Sequence, residues 1–276
     1  MKIRKPEILA TLPSFIWLAV FVFIPLVIIF TMAFKPALAA GGIGEGWSLE
    51  AVRALGDPVY PGLLLRTVVI SVIVTALCLV LALPVAWCLA RLAPKWRTRV
   101  LMLIIIPFWT NFIIRVFAWQ QILHAEGSIA GVFRGLGILG ENDRLLGNAA
   151  AVVVVSVYTY LPFAILPIFA AAEKFDFHLI DAARDLGARP FRAFCSVFLP
   201  GIRQGVVTAV LIVFIPMLGS YVIPDMVGGT DSQMIGNKIA QRNFNDRNLP
   251  QAAALSGALT LLVLIPMLLR RKEGRT

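Results

Sequence analysis

Six stretches of the chain are each long and apolar enough to cross a lipid bilayer, and no other property of the sequence restricts its fold as strongly. They run over about 12–34, 63–90, 100–123, 148–172, 202–223 and 250–269. A membrane helix needs about 20 predominantly apolar residues to cover a hydrocarbon core of about 30 Å. Backbone polar groups in lipid must be satisfied within the element itself, so runs of this length read as helices. With 59% hydrophobic and 14% charged residues among 276, the chain carries more apolar surface than one soluble core of this size buries. The expectation is an all-α integral membrane protein, one domain over 1–276 with six transmembrane helices in surrounding lipid.

The first stretch has a rival reading as a secretory signal, since Lys2, Arg4 and Lys5 precede it and Ala37-Leu38-Ala39 supplies small residues. Signal cores run about 7 to 15 residues, and this one is longer, which favours a span. Orientation follows from Lys and Arg, which concentrate in cytoplasmic segments. With the N-terminus inside, 16 of the 25 fall on the inner side with six acids, and nine fall outside with nine acids. The whole net charge of +10 then lies inside, which predicts both termini in the cytoplasm. That topology explains the basic character without nucleic acid, which is not expected as a partner.

Pro84, Pro107, Pro162, Pro167, Pro216 and Pro266 fall within the six stretches. Each removes a backbone hydrogen bond and favours a kink, which fits ordinary membrane-helix irregularity or a hinge equally well. Cys78, Cys88 and Cys195 have no metal-ligand spacing and read as small apolar fillers. No internal repeat is visible, so the repeat signature of many secondary transporters is missing.

The segment 173–203, EKFDFHLIDAARDLGARPFRAFCSVFLPGIR, is long, lies on the inner side and reads as two short helices. Asp176 is placed to cap the first, which ends at Asp185 or Leu186. Gly187 supplies the left-handed residue that stops it. Pro190 suits the first position of a second helix, and Leu199-Pro200-Gly201 is expected to break the chain before the fifth span. Phe175, Leu179, Ala183 and Leu186 form an apolar stripe outside the hydrocarbon, and Ala182 and Ala183 keep that face thin. A helix lying on the headgroups is the alternative, but Asp181 and Asp185 suit anionic lipid poorly.

Asp181-Ala182-Ala183, then Gly187, then Val197-Phe198-Leu199-Pro200 resembles the EAA loop of ABC-importer permeases, E-A-A-x3-G-x9-I-x-L-P. The departures are Asp for Glu at 181 and Val for Ile at 197. The resemblance implies a type I importer permease fold with a coupling helix between the fourth and fifth spans, seated on an ATP-binding subunit through Asp181, Ala182, Ala183, Gly187, Leu199 and Pro200. It further implies two ATP-binding subunits, a second permease chain, a periplasmic substrate-binding protein and a bacterial inner-membrane location. A Walker A loop, G-x-x-x-x-G-K-[ST], does not occur in the sequence. The chain is therefore not expected to be an enzyme or to hold a cofactor itself, with ATP and Mg assigned to partners.

A further resemblance is to permeases of spermidine/putrescine-type polyamine importers. It rests on Pro107-Phe108-Trp109-Thr110-Asn111 through Arg115 and Ala118-Trp119, Tyr160-Leu161-Pro162-Phe163, Val213-Phe214-Ile215-Pro216, Val222-Ile223-Pro224-Asp225 and Met234-Ile235-Gly236-Asn237. The translocation-path or gate candidates are Trp109, Asn111, Arg115, Tyr158, Tyr160, Tyr221 and Asp225. Arg115 either snorkels to the outer interface or faces the path. The tyrosines fit packing or a cation-binding lining, and Asp225 a gate or a solvated loop. The outer loop Pro224–Leu249, with Gly228-Gly229, either touches the binding protein or is a solvated turn. An ion-coupled carrier is disfavoured because no acid falls deep in a span. His124 and His178, the only histidines, lie on opposite sides in this topology and cannot share a catalytic or metal site.

Overall fold

A computed structural model describes residues 5–273 apart from 39, 138–139 and 141–143. Lys2 and Arg4 of the basic N-terminus, and Ala39 of the small-residue triplet, lie outside the described residues. The main elements are α1 (Lys5–Met32), α2 (Val59–Arg91), α3 (Pro94–Ile105), α4 (Phe112–Leu123), α5 (Ala149–Ala172) and α6 (His178–Asp185). They continue with α7 (Pro190–Gly201), α8 (Arg203–Leu218), α9 (Val222–Val227), α10 (Ile235–Ala240) and α11 (Leu249–Glu273). Two compact units emerge, one of Leu63–Met234 and the other of Met1–Gly62 with Ile235–Thr276.

Within Leu63–Met234 the core is built from small and branched residues at helical spacing. On α2, Ile70, Val74, Cys78, Ala82, Ala86 and Ala90 recur every four residues and are all buried. On α5 the buried row is Ala164, Ile168 and Ala172, and on α8 it is Gly205, Ala209, Val213 and Met217. A Cβ on Gly205 would lie 2.6 Å from both the Ala171 Cβ and the Pro167 carbonyl. Without a hydrophobic driving force between helices in lipid, close backbone approach through small residues is what packs them. The buried Thr67, Thr75 and Thr159 hydroxyls donate to the carbonyls four residues back, at 2.7, 2.7 and 2.8 Å, so these polar groups enter the core satisfied.

In the other unit α1 packs on α11. Gly257 meets the Phe30 ring, Ala33, Ala51, Ala253 and Ala254 form a small core, and the Gln251 amide donates to the Tyr60 hydroxyl at 2.7 Å. The rest of the α1 surface is exposed and apolar over Leu12–Ile28, as a helix bathed in lipid requires.

Three helices, Thr11–Met32, Val59–Arg91 and Ala149–Ala172, are long and apolar enough to cross a membrane singly. Two further helix pairs are long and apolar enough only when taken together, and each is sharply bent. Pro94–Trp109 meets Phe112–Leu123 at 89°, and Pro190–Gly201 meets Arg203–Leu218 at 75°. Leu249–Ile265 is apolar but shorter. The continuous helix expected over 100–123 is thus corrected. Ile106–Trp109 tightens into a 3₁₀ turn containing Pro107, Thr110 and Asn111 are extended, and α4 starts afresh with the Asn111 side chain accepting the Ile113 N–H at 2.8 Å. Proline lacks the donor that would carry the helix through. The second break falls at Ile202, one residue beyond Leu199-Pro200-Gly201, which remain helical.

The segment 224–249, expected as an outer loop, is also corrected, since most of it is helical. Gly147 N–H donates to the Val227 carbonyl at 2.9 Å, the Gly229 N–H donates to Ser232 Oγ at 2.6 Å, and Ser232 and Met234 are buried. Gly229 stands so close to Gly147 that a Cβ would collide with its carbonyl. Gly229 serves close approach to Gly147, while Thr230 and Asp231 of the same turn are exposed. Of the cysteines, Cys78 is buried as a filler, while Cys88 and Cys195 are exposed.

Candidate functional site

The segment joining α5 to α8 folds largely as its residues dictate. Asp176 Oδ1 accepts the His178 N–H at 3.0 Å, holding the first turn of α6. At the other end Gly187 takes φ +88°. Its N–H donates to the Arg184 carbonyl at 2.9 Å and the Ala188 N–H to that of Ala183 at 3.0 Å, the paired bonds of a Schellman stop. Arg189 is extended and Pro190 opens α7, which widens into a π turn over Phe194–Phe198.

The expected apolar stripe is corrected. Because α6 begins only at His178, Phe175 is not on it and turns inward with Ala183 against the core. Ile180 is the buried residue of the helix. Leu179 and Leu186 point out, 52% and 89% exposed, beside exposed Asp181, Ala182 and Gly187. Phe191 on α7 is 80% exposed. Leu199 is half-buried and Pro200 exposed, so of the six residues expected to couple, Asp181, Ala182, Gly187 and Pro200 stand at the surface.

What holds this face in place is an aromatic cluster that sequence reasoning missed. Trp87, near the end of α2, meets Phe177, Phe194 and Phe198 edge-on at 5.3, 5.3 and 4.6 Å between ring centres. Phe175 meets Phe177 and Phe198 at 5.4 and 5.2 Å. The Arg91 guanidinium lies over Trp87 and Phe177 at 5.3 and 5.6 Å. Such pairs are each worth about 0.5–1.5 kcal/mol beyond burial. A Cβ on Gly201 would strike the Phe175 ring, so the glycine after Leu199-Pro200 makes room for the cluster. Arg97 adds a polar tie. It pairs with Glu173 at the end of α5 at 2.5 Å and donates to the Ala90 carbonyl at 3.1 Å at the end of α2. The available signal was compositional, since five of the 18 phenylalanines fall within 175–198.

The path candidates do not form one site. Arg115 on α4 lies 4.5 Å over the Phe108 ring, Phe108 stacks on Tyr158 at 5.9 Å, and Trp119 meets Tyr158 edge-on at 5.3 Å. Arg115 and Tyr158 are therefore brought together, through Phe108 and Trp119, beside the α3–α4 break. Arg115 Nε and Nη1 are buried without a hydrogen-bond partner among the described residues. Asn111 is the α4 cap. Trp109 is 86% exposed. Tyr160 is half-buried on α5, and Tyr221 and Asp225 are exposed at the start of α9.

Comparison with known proteins agrees with this geometry. Residues 59–271 match the family described as binding-protein-dependent transport system inner membrane component. The spermidine/putrescine transport system permease protein PotB of Escherichia coli (strain K12) is 34% identical over 259 residues, covering 94% of each chain. PotB of Haemophilus influenzae is 34% identical over 249 residues, 90% of this chain and 87% of that protein. A crystal structure of a bacterial ABC transporter involved in the import of the acidic polysaccharide alginate contains a chain with the same fold. The TM-score is 0.71 at 15% identity, over 96% of this chain and 93% of that one. The match over residues 59–271, the 34% identity to PotB and the shared permease fold place this chain in the family of binding-protein-dependent transport system inner membrane components.

Proposed function

We propose that this chain is a pore-forming permease subunit of an ATP-driven bacterial importer for polyamines of the spermidine/putrescine class. Similarity to PotB at 34% over 94% of the chain supports the solute class. The observation that carries the mechanism is the outward face of Asp181, Ala182, Leu186, Gly187 and Phe191, clamped from behind by the Trp87 cluster. An apolar face fixed outside the bilayer needs a protein partner, and an ATP-binding subunit fits it.

In this reading the chain is a single permease domain in the inner membrane, with six spans and both termini cytoplasmic. α11, at about 1.5 Å per residue, supplies the sixth span. Two ATP-binding subunits hold ATP and Mg, so this chain carries no cofactor and performs no hydrolysis. A second, similar permease chain completes the path, and a periplasmic binding protein delivers the solute. Trp109, Arg115, Tyr158, Tyr160, Tyr221 and Asp225 are assigned to the path or its gate, and Asn111 shapes it by starting α4. Aromatic faces suit an organic cation where acids are lacking.

The test is co-expression with the genetically linked ATPase, second permease and binding protein, followed by reconstitution. Labelled spermidine or putrescine should accumulate only with ATP and binding protein together. Accumulation without the ATPase overturns the importer reading, and ATP-driven uptake of another solute overturns the polyamine assignment alone.

A further inference from the structure

At the opposite end of α5 from the coupling segment, a cavity of about 390 Å³ opens between the end of α4, the entrance to α5 and the end of α9. His124 and Arg144 line it, over a floor that includes Gly147, Met226 and Gly228. α5 has 24 residues, about 36 Å at 1.5 Å each, so the cavity and the coupling helix lie on opposite sides of a membrane that α5 crosses. If the ATP-binding subunits sit at the coupling helix, as proposed above, this cavity faces the side from which solute arrives.

Its chemistry is one-sided. His124 Nδ1 accepts the Glu126 N–H at 3.4 Å, which leaves Nε2 as the donor. The Arg144 guanidinium is a fixed cation with several donors. No carboxylate lines the cavity among the described residues. The floor is rigid, because the Gly147–Val227 bond ties it to α9 and a Cβ on Gly228 would collide with the Pro224 carbonyl and Ser232 Oγ. A preformed concave site loses little ordering entropy on binding.

We propose that this cavity receives a carboxylate side chain of the periplasmic binding protein, held by Arg144 and His124. The proposal rests on the importer reading. Charge complementarity at such a rim acts on encounter and on its salt dependence.

The test uses the complete reconstituted complex and titrates solute-loaded binding protein against ATPase rate. Arg144→Gln should raise the half-maximal binding-protein concentration roughly 3- to 10-fold, as loss of one partly exposed charged contact implies, and flatten its rise with salt. Basal ATPase rate and the maximal stimulated rate should stay unchanged. Arg144→Glu should shift the requirement further, His124→Gln in the same direction, and Arg144→Lys should stay near the wild type. An unchanged half-maximal concentration in both Arg144→Glu and His124→Gln overturns the proposal, as does a shift that follows anionic lipid content and not binding protein. A wild-type complex that binding protein does not stimulate overturns the importer reading itself, and the cavity's partner with it.

Discussion

Replacing Trp87 with alanine removes the ring through which α2 grips the segment carrying the coupling face. The side chain makes three edge-to-face contacts, with Phe177, Phe194 and Phe198, and lies under Arg91. Three aromatic pairs at about 0.5–1.5 kcal/mol each, with about 0.5–1 kcal/mol for the cation–π contact, give about 2–5 kcal/mol. Large-to-small changes at tryptophan cost about 3–5 kcal/mol when the ring is fully buried. Trp87 is half-buried, so about 3 kcal/mol is the working figure. Trp87 packs at the edge of the core and is only half-buried, so the loss is expected to fall mainly on the segment it holds. A local cost of about 3 kcal/mol multiplies the undocked population about a hundredfold.

Hydrogen exchange reads that population directly. Amides of Leu179–Gly187 should exchange about a hundredfold faster in Trp87→Ala, while those of the buried α5 row keep their protection. In the reconstituted complex the solute moved per ATP hydrolysed should fall, and Trp87→Phe should recover most of it. Exchange that is unchanged in 179–187, or that rises equally in α5 and α8, would refute the reasoning. The first outcome means the cluster holds nothing, and the second that it belongs to the general core.

Gly187→Ala places a Cβ at φ +88° in open space, so the cost is backbone strain alone, about 1–2 kcal/mol; Gly187→Asn should cost less, measured as retention of the ATP-binding subunit on purification. Gly205→Leu forces side-chain atoms between α8 and Ala171 and should destabilise by about 3 kcal/mol or more, seen as a lower melting temperature in detergent. Leu186→Asp with Phe191→Asp alters two exposed residues, so folding and melting should be unchanged within about 0.5 kcal/mol while co-purification with the ATP-binding subunit is lost.

The parts legible in the sequence are those where a local rule decides the backbone. Continuous apolar runs bounded by caps placed α2 and α5 closely, and Asn148, just before α5, accepts the Ala151 N–H at 2.9 Å as a cap should. Gly187 and Pro190 stopped and restarted the coupling helices for stereochemical reasons that need no tertiary partner. The break at 106–111 was masked by the apolar residues on either side; Pro107 and Asn111 mark the place, but Pro84, Pro162, Pro167 and Pro216 lie inside helices that continue past them. The helices of 224–249 were not legible because α9 and α10 have six residues each, too few for a helical period to register. Trp87 and its phenylalanines were unreadable as a unit, since they converge from positions nearly a hundred residues apart.

The break, the clamp and the coupling face combine into one mechanical arrangement. α6 is held by Trp87 and Arg91, which reach Phe177 at its start from α2, and by continuity through α7 into α8, while Arg97 on α3 ties the ends of α2 and α5 together through the Ala90 carbonyl and Glu173. The side chains of this clamp are aromatic or ionic and contact one another directly, so there is little slack for α6 to move without its neighbours. The 75° bend at Ile202 sets α7 steeply across α8, whose small-residue face packs against α5. Trp87 on α2 touches Phe177 at the start of α6 and Phe194 and Phe198 on α7, so its ring is the side chain whose removal most directly separates these helices from α2.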